Sequence, residues 1–342
     1  MQNLKGLIQP EVFNLGLAPS RTISNLRDFH YIPYARWNIF GLYALARKIR
    51  TSSPDVLHAY DHKSLFVARL LSLLLGIPVI YTKCGGPNGS RAIPFANRIV
   101  LFSGENYSHY CEHGDPSRYI LIPNRLNRPH SDPEMQERLV NELGLRDQKI
   151  LLRISRFNRY YDHTFNQTEA LFRELRAKEM SWHLVFLGAE QDPVYLQELK
   201  DRFGLDGVYY IVEESYTKEA SKLIPIADAV VATGRGAMEA CYFGKRVFCP
   251  TAIGRLPVEI NDATFDTLFH FNFSERAPVI QSEIAQETAG TSMKVYFEKF
   301  FLLDTARTAY LSLYGQAIEE GSRHLSNLKT LAYHALQFFR PR

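Results

Sequence analysis

The sequence predicts an α/β protein that contains two doubly wound parallel sheets. Short β-rich runs alternate with segments of helical length, and this alternation occurs twice along the chain. The length of 342 residues also favours two domains, because a single hydrophobic core rarely serves so long a chain. With 46% hydrophobic and 22% charged residues, the composition is that of a folded globular protein.

The first alternation predicts an N-terminal domain over residues 1–130. Segments of helical length, such as SLFVARLLSLLLG, separate its β-rich runs. The predicted strands are PDVLHAY (54–60), IPVIYTK (77–83), NRIVLFS (97–103) and YILIP (119–123).

The second alternation predicts a C-terminal domain over residues 131–290, which opens with a polar helical linker, PHSDPEMQERLVNELGLRDQ. Helices are predicted for 291–342 and are expected to pack across both domains. Ligands are expected in a cleft at the carboxyl ends of the strands. The predicted strands are KILLRIS (149–155), HLVFLG (183–188), VYYIV (208–212), DAVVAT (228–233) and KRVFCP (245–250).

Basic charge is concentrated in the first domain. Residues 1–130 contain 15 Lys and Arg against 7 Asp and Glu, although the whole chain has a net charge of only +4. No recognised nucleic-acid-binding motif accompanies this excess, so an anionic membrane or an anionic acceptor is favoured over nucleic acid. The segment PYARWNIFGLYALARKIR (33–50) is either a membrane-surface helix or, as we favour, a core helix packed on a sheet.

The four cysteines predict a reducing compartment. They are widely spaced and show no metal-binding pattern. No apolar run is long enough to span a bilayer, and no cleavable signal peptide is visible. We therefore predict a cytoplasmic protein, with peripheral contact to the inner face of the membrane as an option for its basic domain.

A glycine-rich turn precedes Glu239 in the stretch ATGRGAMEACYFGKRVFCPT (232–251). In one interpretation, Glu239 lies in the first turn of a helix and only complements the helix dipole. In the other, Gly234 and Gly236 leave backbone N–H groups free for a phosphate, while Glu239 accepts hydrogen bonds from a sugar diol. The stretch alone allows both interpretations.

Five segments, in the same order over residues 50–260, resemble the retaining glycosyltransferases of family 4, which have the GT-B fold of two Rossmann-like domains. The resemblance implies an enzyme that takes a nucleotide-diphosphate sugar and a polysaccharide or glycolipid precursor as substrates. Because no Asp-x-Asp motif occurs, we expect neither a metal nor a cofactor. The segments are PDVLHAYDHKSLFVARLLSLLLGIPVIYTKCGG, ANRIVLFSGENYSHYCEHGDPSRYILIPNRL, ISRFNRYYDH, HLVFLGAEQDPVYLQELKDRFGL and GRGAMEACYFGKRVFCP.

The resemblance implies a donor site in the second domain. Arg156 would neutralise the leaving diphosphate, because a guanidinium meets phosphate oxygens with two parallel hydrogen bonds. Glu239 would hold the ribose hydroxyls, and Arg159 would replace the lysine of the family's donor loop. The other implied donor-binding residues are Gly188, Gly234, Arg235, Gly236 and Ala237.

The sequence departs from the family at two motif positions. Val231 stands where the family has the first glutamate of its motif, and Cys84 stands where it has a sugar-contacting histidine. Asp61 and His62, which follow a predicted strand, are therefore candidates for catalytic contacts with the acceptor.

The first domain departs as well, because the chain opens with MQNLKGLIQPEVFNLGL and is predicted to lack the family's first strand and glycine loop. Lys83, Gly85 and Gly86 are expected on the acceptor side. Two alternative functions remain: a non-catalytic GT-B module that binds a nucleotide or a partner, and a GT-B sugar-nucleotide epimerase. The epimerase would require further acidic groups for proton abstraction.

Overall fold

The computed structural model describes residues 4, 6–16, 29–33, 39–89, 93, 95–278 and 293–321. These residues form two compact units. The first unit contains the described residues up to Pro123 together with those from Ala306 onward, and the second unit is Asn124–Thr305. The predicted C-terminal helix LKTLAYHALQFF lies outside the described residues.

The strands of the first unit form two parallel sheets. They are β1 (Phe13–Gly16), β2 (His30–Pro33), β3 (Leu57–Ala59), β4 (Val79–Lys83), β5 (Arg98–Leu101) and β6 (Tyr119–Leu121). One sheet has the order β3-β4-β5-β6, which confirms the four predicted strands, and the other pairs β1 with β2. The sequence pattern does not predict β1 and β2, which are only four residues long.

The second unit contains one six-stranded sheet. Its strands are β7 (Lys149–Ile154), β8 (Trp182–Leu187), β9 (Val208–Ile211), β10 (Ala229–Val231), β11 (Arg246–Cys249) and β12 (Val258–Glu259). The order is β12-β11-β10-β7-β8-β9, and all neighbours are parallel except β11 and β12. The five predicted strands are confirmed, and the two-residue β12 is an addition.

Helices connect the strands of both units. In chain order they are α1 (Ile39–Ser52), α2 (His62–Leu75), α3 (Gly104–His113), α4 (Pro133–Leu143), α5 (Asp162–Lys178), α6 (Pro193–Arg202), α7 (Glu214–Thr217), α8 (Arg235–Tyr242), α9 (Phe265–His270), α10 (Met293–Tyr296) and α11 (Arg307–Glu320). The predicted linker helix α4 buries Met135 and Leu139 in the second unit's core. In the first unit, α11 buries Leu313 and Ala317 with Ile80 of the sheet.

Helix α1 has two contrasting faces. Its inner face buries Leu45 and Ile49 against Val67 of α2, which confirms the prediction of a packed core helix. Its outer face leaves Phe40 87% exposed and Tyr43 69% exposed.

Candidate functional site

Strands β7 and β10 mark the point where the strand order of the second unit reverses. After β7 the chain adds β8 and β9 on one side, and it then returns to add β10 and β11 on the other. Ligands of doubly wound proteins bind at such a point, at the carboxyl ends of the two strands. The loop after β7 carries Arg156 and the turn after β10 carries Gly234, so two segments predicted to bind the donor meet at one sheet edge.

The Arg156 side chain is exposed, but its contact with Tyr161 fixes its orientation. Its Nη2 donates to Tyr161 Oη at 2.7 Å, and its guanidinium carbon lies 5.6 Å from the centroid of the same ring. The neighbouring Phe157 is fully buried, and its backbone N–H donates to Ala189 O at 3.0 Å. The buried Phe157 therefore anchors the loop, while Arg156 remains accessible to an anion.

Gly188 follows β8 and allows the Arg156 loop to pack closely. A Cβ atom at this position would lie 1.7 Å from the carbonyl oxygen of Ser155, so only glycine fits the backbone as it stands. The structure thus gives Gly188 a packing role directly behind the predicted donor loop.

Arg159 is already paired within the second unit. Its Nη2 donates to both carboxylate oxygens of Glu198 in α6 at 2.6 Å, and its guanidinium carbon lies 5.4 Å from the Tyr195 ring centroid. The Glu198 hydrogen bonds raise the pKa of Arg159. Binding a donor phosphate would therefore require Arg159 to share or leave this partner.

The turn after β10 presents backbone donors at the start of α8. Gly234 N–H donates to Phe273 O at 2.8 Å, and Gly236 N–H donates to Thr233 O at 3.1 Å. Within the described part of the chain, no acceptor lies in hydrogen-bonding position for the N–H groups of Arg235 and Ala237. No side chain caps this helix start either, so these two N–H groups can receive an anion.

Glu239 lies in the second turn of α8, and the first turn contains no acidic residue. The interpretation of Glu239 as a partner of the helix dipole in the first turn is therefore wrong, because that effect is confined to the first turn. Glu239 is only 7% exposed, and its Oε1 accepts a hydrogen bond from Arg235 Nε at 2.7 Å.

In the first unit, Asp61 and His62 begin α2. Asp61 is the N-cap, and its carboxylate accepts hydrogen bonds from the N–H groups of Lys63 at 2.8 Å and Ser64 at 2.9 Å. The His62 ring centroid lies 5.6 Å from that of Tyr81. Desolvation lowers the pKa of His62, and the charge of nearby Lys83 lowers it further.

Lys83 shapes the glycine loop that follows β4. Its Nζ donates to Gly85 O at 2.6 Å, Gly86 O at 3.0 Å and Asn106 Oδ1 at 3.1 Å, and the residue is only 6% exposed. Both glycines have positive φ, 115° and 84°, a conformation that other residues rarely adopt. The structure thus brings the three predicted acceptor-side residues together in one hydrogen-bonded loop.

Tyr161 and Phe273 contact residues of the candidate donor site, although the sequence analysis assigns them no role. Tyr161 orients Arg156, and the aromatic run FNRYYD was the available signal for it. Phe273 holds Gly234, with both Asn272 (φ 53°) and Phe273 (φ 51°) in the left-handed region. No local pattern reveals this contact, because it joins segments that are distant in the sequence.

In the described ranges, no group of three or more His, Cys, Asp or Glu side chains is arranged to hold a metal ion. Among the helices of these same ranges, none is both long and apolar enough to cross a membrane.

Comparison with solved structures identifies similar folds, whereas no family model and no curated protein matches the sequence significantly. A glycosyltransferase from Rickettsia africae has a TM-score of 0.63 at 15% identity, over 90% of each chain. HepE from Anabaena, solved with UDP-glucose, has a TM-score of 0.61 at 16% identity, over 88% of this chain and 91% of HepE.

The catalytic domain of starch synthase IV from Arabidopsis thaliana, solved with ADP and acarbose, is also similar. Its TM-score is 0.51 at 16% identity, over 82% of this chain and 76% of that domain. The chain therefore has the GT-B fold, as predicted.

Proposed function

We propose that the protein is a glycosyltransferase that transfers a sugar from a nucleoside diphosphate donor. The observation that carries this proposal is the joint position of Arg156 and the α8 N-terminus at the reversal of strand order. A guanidinium and unpaired backbone N–H groups are the groups that bind a diphosphate. The fold supports the proposal, since HepE was solved with UDP-glucose and starch synthase IV with ADP.

The proposed chemistry depends on charge at the leaving group. When the bond between sugar and diphosphate breaks, negative charge grows on the diphosphate oxygens, and Arg156 stabilises it most strongly in the transition state. Arg156 and the N–H groups of Arg235 and Ala237 take the role that a divalent ion has in other transferases. We therefore expect chelation of divalent ions to leave turnover unchanged.

Glu239 is proposed to bind the ribose of the nucleotide. Arg235 occupies Oε1 of Glu239, and Oε2 has no hydrogen-bond partner among the described residues. Oε2 therefore remains available to accept a ribose hydroxyl. Arg235, whose side chain is 70% exposed, is proposed to influence the choice of donor sugar more than the rate.

The acceptor side and the stereochemistry are proposed from the sequence resemblance, with retention of configuration and a polysaccharide or glycolipid precursor as acceptor. In the first unit, His62 is the candidate to accept a proton from an acceptor hydroxyl, because its lowered pKa keeps the ring neutral at pH 7. Asp61 would position His62 by capping α2, and Lys83 would hold the Gly85–Gly86 loop.

We also propose that the outer face of α1 contacts an anionic bilayer. Phe40 and Tyr43 are strongly exposed, and the exposed Arg47 and Arg50 follow on the same helix. Aromatic side chains insert at the headgroup level, and basic side chains are attracted to anionic lipid. The positive charge of Arg47 and Arg50 favours binding to anionic lipid over binding to a neutral surface.

Vesicle sedimentation tests the membrane proposal. The protein should sediment with vesicles of phosphatidylcholine and phosphatidylglycerol but not with phosphatidylcholine alone, and a variant carrying Phe40→Ser and Tyr43→Ser should lose this binding. A control pair, Val194→Ser and Met180→Ser, replaces strongly exposed apolar residues of the second unit and should bind normally. Equal sedimentation of the α1 variant and the wild type would contradict the proposal.

A donor screen tests the proposed activity. Calorimetry with UDP-, ADP- and GDP-sugars should detect binding of at least one donor, and product analysis with glycan or glycolipid acceptors should detect sugar transfer. Binding without any turnover would favour the non-catalytic module. Isomerisation of the sugar without transfer would favour the epimerase.

A further inference from the structure

A buried arginine lies directly beneath the candidate donor site. Arg153 is in the interior strand β7, where it is only 1% exposed. Its Nη1 donates to Val231 O at 3.2 Å, and its Nη2 donates to Thr164 Oγ1 at 3.0 Å. Within the described residues, Arg153 has no carboxylate hydrogen-bonded to it, and its Nε has no partner.

Such a cation is unfavourable for the fold alone. Removing a guanidinium from water without a carboxylate hydrogen-bonded to it has a large desolvation penalty, and the charge of Glu275 offsets that penalty only in part. Burial lowers the pKa of Arg153 to about 10, so the group remains charged at neutral pH. An apolar side chain of similar length would fill the same place without that penalty, which points to a role beyond packing.

The hydrogen bonds of Arg153 lead to both segments of the site. Val231 is the last residue of β10, just before the Gly234 turn. Thr164 Oγ1 in turn donates to Tyr161 O at 2.8 Å, and Tyr161 Oη accepts the hydrogen bond from Arg156. Arg153 is thus the group that joins the end of β10 to the residue that orients Arg156.

We propose that Arg153 is a positioning residue for the diphosphate site. It holds the end of β10 directly and Tyr161 through Thr164, and it thereby fixes these two segments relative to each other. The inference rests on the proposed function, because it assumes that Arg156 meets the leaving diphosphate. Arg153 acts through these neighbours and is not itself proposed to touch the substrate.

The test compares a free nucleoside diphosphate with the matching nucleotide sugar. The free diphosphate carries the charge that develops on the leaving group, whereas the intact donor does not. In calorimetry, we expect Arg153→Met to weaken UDP binding about 10-fold and UDP-glucose binding about 2-fold or less. If the wild type prefers ADP or GDP, that diphosphate and its nucleotide sugar replace UDP and UDP-glucose. A purely structural role would weaken both ligands equally.

A double-mutant cycle tests whether Arg153 acts on UDP binding through Arg156. Because the branch through Thr164 and Tyr161 ends at Arg156, the loss of UDP binding in the Arg153→Met, Arg156→Ala double variant should be smaller than the sum of the two single losses. Thr164→Val, which removes the connecting hydroxyl but keeps the side-chain shape, should also weaken UDP binding more than UDP-glucose binding. It therefore tests the proposal even if Arg153→Met fails to fold. Arg69→Met, which removes the buried arginine stacked on Phe95 in the first unit, is the matched control and should bind UDP normally.

The outcomes separate this inference from the proposed function. A wild-type protein that binds none of UDP, ADP and GDP would overturn both. If the wild type binds a nucleoside diphosphate, three results would overturn the positioning role alone. Thr164→Val and Arg153→Met could bind UDP normally, they could weaken the binding of UDP and UDP-glucose equally, or their losses of UDP affinity could add fully to that of Arg156→Ala.

Discussion

Arg235 Nε lies 2.7 Å from Glu239 Oε1, one turn apart on α8, yet the two side chains differ sharply in exposure. The Arg235 side chain is 70% exposed, whereas that of Glu239 is 9% exposed. Water can solvate the arginine if the pair is broken, but it can solvate the glutamate only poorly. The pair is therefore asymmetric, and its two members should respond differently to substitution.

We expect Arg235→Met to lower the free energy of unfolding by about 1 to 3 kcal/mol, because it leaves a buried carboxylate without its described partner. Glu239→Gln should lower it by less than about 1 kcal/mol, since the exposed arginine returns to water. Urea denaturation of both variants measures the difference. An equal loss in the two variants would contradict the asymmetry.

Glu239→Ala should weaken binding of the nucleoside diphosphate by about 1 to 3 kcal/mol while the protein remains folded, because ribose hydroxyls lose their acceptor in a closed site. Calorimetry with the preferred nucleotide measures this loss. Glu259→Ala, which removes another arginine-paired and largely buried carboxylate of the second unit, serves as the control with retained affinity. A folded Glu239→Ala variant with wild-type affinity would exclude a ribose-binding role for Glu239.

Arg156→Ala should reduce turnover about 100-fold or more, with a smaller effect on donor affinity, because the guanidinium acts on charge that develops as the bond breaks. Arg156→Lys should restore activity only partly, since an ammonium group lacks the planar pair of donors. In single-turnover assays, Tyr161→Phe should slow sugar transfer less than Arg156→Ala does.

Arg235→Ala is the comparison for these assays and should change donor preference more than rate. If Arg156→Ala and Arg235→Ala weaken donor binding equally without slowing turnover, Arg156 has no leaving-group role.

Gly188→Ala and Gly236→Ala should differ in stability. A Cβ at position 188 would clash with Ser155 O, so we expect a loss of about 3 kcal/mol or more and a displaced Arg156 loop. At position 236 the added Cβ would meet Ala232 Cβ at 3.5 Å, an ordinary contact, and alanine favours the helix by up to about 1 kcal/mol. Thermal denaturation of the pair compares them directly, and equal melting temperatures would refute the packing role of Gly188.

His58 should make the first unit sensitive to acid. Its Nδ1 lies 2.9 Å from Tyr314 Oη and its Nε2 lies 2.7 Å from Thr82 Oγ1, and burial lowers its pKa to about 3. An unfolded histidine takes up its proton near pH 6.5, so the unfolded state binds more protons as the pH falls. The stabilisation by neutral His58 is therefore complete above pH 6.5 and is lost as the pH falls towards 3.

The measurement is urea unfolding at pH 7 and pH 5. Between these two values, the wild type should lose about 1 to 2 kcal/mol more stability than His58→Gln, which cannot titrate. All other titrating groups are common to both proteins, so the difference reports His58. Parallel losses in the two proteins would contradict the assigned pKa.

Nine strands were predictable because their signals are local. Alternation of β-rich and helical segments reports how each segment packs against its immediate neighbours, and this pattern identified β3 to β11. β1, β2 and β12 were missed because they lie outside the two runs of alternating β-rich and helical segments. The order of motifs along the chain also predicted the GT-B fold, which the structural comparisons confirm.

The burial and the hydrogen-bond partners of each site residue were not predictable, because these partners come from distant segments of the sequence. The sequence alone places Gly234, Gly236 and Glu239 in one promising motif, but Phe273 engages Gly234 N–H only after the chain has folded. The sequence likewise predicts a strand at KILLRIS, whereas only the packing of β7 between β10 and β8 makes Arg153 a buried cation that reaches both site segments. Local periodicity thus determined the strands, and burial and long-range pairing decided which charges and N–H groups remain available for a ligand.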